Sequence, residues 1–177
     1  PFRIFPVESG GQAVTAGAYE QYARLTDAFS ALVLTTLRNR PLAIQPPFAL
    51  REIRAWSSLA IGLERLRLSK MPYFFLLGLM ARRVARLVVA QRPQVVEVTM
   101  PWMAGIRRWL PDSIKVVLLM QNVEALWYEE SLSQTLAPGL FGRWLSRMEG
   151  RAVHQADHVI TLTSFDQLEL AKRYGVS

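Results

Sequence analysis

Three short apolar segments constrain this chain more than any other feature. Val95–Met100, Ile114–Met120 and His158–Thr163 are each six or seven residues long, are built largely from Val, Ile, Leu and Thr, and alternate with helical patterns. A strand with few polar positions must be covered on both faces, and strands separated by helices run parallel. Ala31–Thr36 carries the same signature earlier in the chain. The expected order is helix, strand, helix, strand, helix, strand, two helices, strand, helix. That is an α/β chain of the Rossmann-like, doubly wound kind, with a mostly parallel sheet and helices on both faces.

The segments between the strands are read from their spacing. Leu50–Ser69 looks helical, and Pro41–Pro47, with three prolines in seven residues, is expected to be loop or extended. Pro72–Gln91 is predicted as helix, with apolar positions at Phe75, Leu79, Val84, Leu87 and Val88. Ala104–Leu110 is expected to be a short helix, and Asn122–Ser133 another. Pro138 suits the first turn of a helix whose stripe is Leu140, Trp144, Leu145, Met148 and Ala152. The last helix is expected to open on a capping box, Ser164-Phe-Asp-Gln167, and to end at Gly175.

Composition removes whole classes of chemistry. The 177 residues include no cysteine, which excludes disulfide scaffolds, thiolate metal sites and thiol nucleophiles. The two histidines, His154 and His158, do not make a histidine-rich metal site. No window approaches the ~18 uninterrupted apolar residues of a membrane span. The start at Pro1, without methionine or a basic-then-apolar leader, reads as cut rather than targeted. Phosphate-loop, GxGxxG and GxSxG patterns are all missing.

The charge is concentrated. Net charge is +7, and 18 of the 21 basic residues are arginine. From Arg38 to Arg108 there are thirteen bases against three acids, Glu52, Glu64 and Glu97. Such a segment suits anionic lipid, phosphate-bearing ligands or nucleic acid; a solvated arginine face accounts for the same count.

In a doubly wound sheet, ligands bind beyond the carboxyl ends of the strands, where helix N-termini offer free N–H groups. Four stretches fall there: Ser9–Gln12, Thr99–Met103, Gln121–Glu124 and Thr163–Asp166. Gly10-Gly11 ahead of a helix allows close backbone approach to a ligand, or is a plain turn. Gln121 to Glu124 places polar groups directly after an apolar strand. These could bind a polar ligand, while Asn122 could equally cap the helix and Glu124 favour its dipole. Glu129 and Glu130 point about 100° apart on a helix and are not an acid–base pair. Trp102, Trp109, Trp127 and Trp144 read as core or groove walls ahead of stacking platforms.

The ordered set of motifs has a resemblance. It comprises a Gly-Gly loop into a helix, Met71-Pro-Tyr73 within a cationic stretch, Arg92-Pro-Gln-Val-Val-Glu-Val98, Val117-Leu-Leu-Met-Gln-Asn-Val-Glu124, Glu149 in a long helix, and Ala156-Asp-His-Val-Ile-Thr-Leu-Thr-Ser164. Together these resemble the N-terminal, acceptor-side domain of a GT-B fold glycosyltransferase, of the large retaining family 4 (group 1) type. The resemblance spans nearly the whole chain. It implies transfer of a sugar from a nucleotide-sugar donor to a sugar or lipid-linked acceptor, with retention of configuration and with neither cofactor nor metal. It further implies that residues 1–177 are one Rossmann-like domain lacking its first strand and the donor-binding domain, and that the isolated chain is inactive.

By the same resemblance, Gly10, Gly11 and Gln12 match the loop near the donor diphosphate. Gln121 matches a position where many members carry histidine close to the donor sugar. Asn122, Glu124 and Ser164 match neighbouring binding positions, and Asp157 a structural one. Gln121 can donate and accept hydrogen bonds but cannot carry a proton as histidine does. A cytoplasmic location is implied, peripheral to the inner face of the membrane, with contact through residues 38–108 and no nucleic acid. The competing reading is a non-catalytic Rossmann-like binding module whose basic face meets anionic lipid, nucleic acid or a protein. A third is another nucleotide-sugar enzyme such as an epimerase.

Overall fold

The structure is a computed structural model and describes residues 10–35, 46, 48–54, 71–131 and 138–176. The chain divides into two compact units, Pro1–Tyr73 and Phe74–Ser177. Among the described residues each unit contains a parallel sheet with helix beside it, of two strands in the first and three in the second, so the chain is α/β.

In the first unit, α1 (Gly10–Leu25) leads to β1 (Ser30–Thr35), which pairs in parallel with β2 (Ala49–Arg54) from Ser30↔Ala49 to Thr35↔Arg54. Ala16 of α1 and Val33 of β1 form a small core flanked by Tyr19 and Leu50. Tyr19, Tyr22, Phe29 and Phe48 extend it as an aromatic cluster, with Phe29 and Phe48 centroids 5.1 Å apart, edge to face. β2 corrects the helical expectation for Leu50–Ser69 over its first residues. Leu50 and Ile53 are three apart, which fits a helix, but in the strand the β1 ladder and burial of Ile53 decide the outcome. Positions 55–69 of that expectation, and most of Pro41–Pro47, lie outside the described residues.

The second unit takes in all but the first three residues of α2 (Met71–Val89), which precedes β3 (Val95–Val98). A 3-10 helix (Pro101–Trp109) and β4 (Lys115–Met120) follow. Then come α3 (Glu124–Ser131), α4 (Pro138–Gln155), β5 (His158–Thr161) and α5 (Ser164–Tyr174). The sheet order is β3-β4-β5, all parallel, with Val98↔Leu118 and Met120↔Thr161 closing the two ladders. β4 is central, and its Val116, Leu118 and Met120 are essentially sealed from solvent with Leu145 of α4 and Leu170 of α5. All of the strands expected in this unit form, somewhat shorter than the apolar runs that announced them.

Local chemistry sets the boundaries. Met100 is extended before Pro101, which opens the 3-10 helix where its missing N–H costs nothing. Gly175 ends α5 in the left-handed conformation at φ 67° and donates to Ala171 O at 2.8 Å. The N-terminus of α5 differs by one residue from expectation. Thr163, extended, is the cap: its Oγ1 accepts from Asp166 N at 3.0 Å while its hydroxyl donates to Asp166 Oδ2 at 2.5 Å. Ser164 is already the first helical residue.

Asp157 fixes the start of the β4–β5 ladder. Its Oδ2 accepts from Val116 N and its Oδ1 from Lys115 Nζ, both at 2.9 Å, while its own N–H donates to Val116 O at 2.8 Å. The Lys115 ammonium and the Val116 amide hold its carboxyl below the usual carboxylate range. A depressed native pKa contributes stability above the unfolded value, and that contribution is lost as pH falls through the native one. The stability difference between the parent and Asp157→Asn is therefore expected to shrink as pH drops from neutral to below 4, measured by urea unfolding at each pH.

Candidate functional site

Three parallel strands bring three loops to one sheet edge. Residues 99–100 leave β3, Gln121–Val123 leave β4, and Leu162–Thr163 leave β5. Because Met120 pairs with Thr161, Gln121 and Leu162 begin side by side. Gln121 is half-buried, whereas Asn122 and Ser164 are exposed. Val123 and Glu124 turn inward and are buried. The topology thus gathers Gln121, Asn122, Glu124 and Ser164 at the carboxyl edge of the three-stranded sheet. Gly10, Gly11 and Gln12 belong to the other unit, where they form the first turn of α1 itself rather than a loop before it.

Two helix N-termini at this edge, those of α3 and α5, are filled by the chain's own side chains, while the 3-10 helix after Met100 has no side-chain cap. The first N–H groups of α3 do not meet Asn122. Glu124 N donates to Glu149 Oε1 at 2.7 Å and Ala125 N to Glu149 Oε2 at 3.2 Å. A carboxylate from the middle of α4 therefore caps α3 across 25 residues of sequence, satisfying two donors that would otherwise be buried without partners. Glu149 is 0% exposed. Tyr174, the last residue of α5, donates its hydroxyl to the same Oε2 at 2.6 Å. Ser146 lies 3.4 Å from the phenolic oxygen.

Burial pushes the Glu149 carboxyl above its ordinary range, against the opposing pull of the Tyr174 hydroxyl and the two backbone amides. Burial also raises the Tyr174 hydroxyl, which the neighbouring carboxylate reinforces. The adjacent Arg173 makes a two-pronged bond to Glu129 of α3, at 2.9 and 3.1 Å, and holds that carboxyl below its usual range. The end of α5 therefore ties α3 and α4 together directly beneath the Gln121–Glu124 loop.

The arrangement has a chemical consequence. The α3 terminus already holds a carboxylate, and the α5 terminus holds Thr163 and Asp166, so neither is an open receptor for an anion. The edge instead offers amide and hydroxyl groups, from Gln121, Asn122 and Ser164, above an apolar strand. Among the described residues no three His, Asp or Glu side chains cluster as a metal ion would require. In the sequence Glu149 is legible only as a motif position, not as the cap, because nothing local couples residue 149 to residue 124. Comparison of the chain with family models, with curated proteins and with solved structures returned no match.

Proposed function

We propose that this chain is the acceptor-side domain of a retaining glycosyltransferase, one half of a GT-B fold built on a doubly wound sheet. In this reading a nucleotide-sugar supplies the donor, without cofactor or metal, and the partner domain holds it. The observation that carries the reading is the carboxyl edge of β3-β4-β5. There Gln121, Asn122 and Ser164 present neutral hydrogen-bonding groups while the helix ends behind them are closed by Glu149 and Thr163. Such a surface suits the hydroxyls of a sugar better than a diphosphate, as an acceptor site requires.

Gln121 stands closest to the end of the central strand and would orient a donor or acceptor hydroxyl by hydrogen bonding, with no proton transfer asked of it. Asn122 and Ser164 would complete the contact, and Glu124 would hold the loop from within. For Gly10, Gly11 and Gln12, at the start of α1 in the first unit, the support is the resemblance alone, by which their backbone N–H groups would meet donor phosphates. By the same resemblance the enzyme would work in the cytoplasm, peripheral to the inner face of the membrane.

The reading is tested by saturation-transfer NMR of the chain with a panel of glycosides and nucleotide-sugars. Glycosides are expected to receive magnetisation, and Gln121→Ala to weaken the strongest binder about tenfold, the loss of one or two well-placed hydrogen bonds. A chain that ignores every glycoside, or a Gln121→Ala variant that binds unchanged, would contradict it.

A further inference from the structure

We propose that Arg82, Arg83, Arg86, Arg108 and Trp109 form one surface that docks on an anionic lipid bilayer. α2 buries Ala81, Val84, Ala85 and Val88, and its three arginines are exposed. The 3-10 helix buries Pro101, Trp102, Ala104 and Ile106 and leaves Arg108 and Trp109 outside at its end. The Arg82 guanidinium carbon lies 5.0 Å from the centre of the Trp109 ring, which joins the two elements into a single patch. Neither segment contains an acidic residue. The nearby Asp112 bonds Arg107 at 3.2 Å.

Charge complementarity selects the occupant. Arginines at a helix surface draw toward phosphatidylglycerol or phosphatidylserine headgroups, and each contributes about fivefold in affinity. An indole that is 48% exposed suits the headgroup boundary, where its apolar ring and its N–H are both satisfied. Of the five side chains only Trp109 is aromatic, whereas a single-stranded nucleic acid is held by several rings on which successive bases stack. Of the basic segment 38–108 the patch takes Arg82, Arg83, Arg86 and Arg108, with Trp109 directly after it. The inference rests on the membrane-peripheral part of the proposed function and deepens it, but its test is separable from the sugar chemistry: vesicle binding can fail while glycosides still bind, and the reverse.

The full chain is sedimented with vesicles of phosphatidylcholine alone and of phosphatidylcholine with phosphatidylglycerol. Binding is expected only with the anionic lipid. The triple variant Arg82→Gln/Arg83→Gln/Arg86→Gln is expected to bind at least tenfold more weakly while keeping the parent's circular dichroism. Brominated lipid is expected to quench the parent's indole emission more than that of Trp109→Phe. Equal binding to neutral vesicles, no binding to either, or a folded triple variant that binds like the parent would overturn the proposal. So would salt-sensitive binding of a single-stranded oligonucleotide with the vesicles ignored.

Discussion

Glu149→Ala is expected to lower the folding free energy of the Phe74–Ser177 unit by about 3–5 kcal/mol. The variant strands Glu124 N and Ala125 N, whose residues are 6% and 0% exposed, and removes the acceptor of the Tyr174 hydroxyl. Each buried donor left without a partner costs about 1–3 kcal/mol. Small domains are stable by only about 5–15 kcal/mol in total, so this variant approaches the folding limit. Glu149→Gln keeps the shape and one acceptor oxygen, and its expected loss is smaller, about 1–2 kcal/mol.

The conservative variant also reads out the charge. A carboxyl whose native pKa lies above its unfolded value adds stability below the unfolded value, and that increment is lost as pH rises through the native one. The parent is therefore expected to gain on Glu149→Gln as pH falls from neutral into the mildly acid range. This is opposite in sign to the Asp157 effect. Tyr174→Phe combined with Glu149→Gln in a double-mutant cycle should show coupling of about 1 kcal/mol. Urea unfolding of the four proteins of the cycle and of Glu149→Ala checks all of this; a Glu149→Ala variant as stable as the parent would contradict the cap.

Gly150→Ala is expected to destabilise by about 1–3 kcal/mol, although alanine normally favours a helix interior over glycine by about 1 kcal/mol. A Cβ at Gly150 would stand 2.9 Å from Cδ1 and 3.1 Å from Cε1 of Tyr174. The ring cannot simply swing aside, because its hydroxyl is anchored on Glu149 and Ser146. The substitution therefore pushes α5 off α4 or breaks the Tyr174–Glu149 bond. In the same helix, Gly142→Ala is the control: its Cβ would meet only Glu129 Cγ at 3.9 Å, an ordinary contact. Thermal unfolding should show Gly150→Ala melting below the parent and Gly142→Ala at or above it.

The contrast between what could be read and what could not has a physical basis. β3, β4 and β5 were legible because burial of uniformly apolar runs such as Val116 to Met120 dominates every local preference. β2 was not, because Leu50 and Ile53 sit at a helical spacing that only the β1 ladder overrides. The α5 cap shifted by one position because Thr163-x-x-Asp166 and Ser164-x-x-Gln167 overlap, and the extended backbone at Thr163 selects the first. The edge holding Gln121, Asn122 and Ser164 followed from parallel topology alone. That Glu149 closes the helix end behind it could not be seen, since contacts across 25 residues leave no periodic trace.

The most direct measurement is amide chemical-shift mapping of the full chain, titrated with the glycoside that binds best. The expected perturbations fall on Gln121, Asn122, Thr163 and Ser164, and in Gln121→Ala they need about tenfold more glycoside. Shifts confined to other faces of the three-stranded sheet, or none at saturating glycoside, would contradict a sugar site at the carboxyl edge.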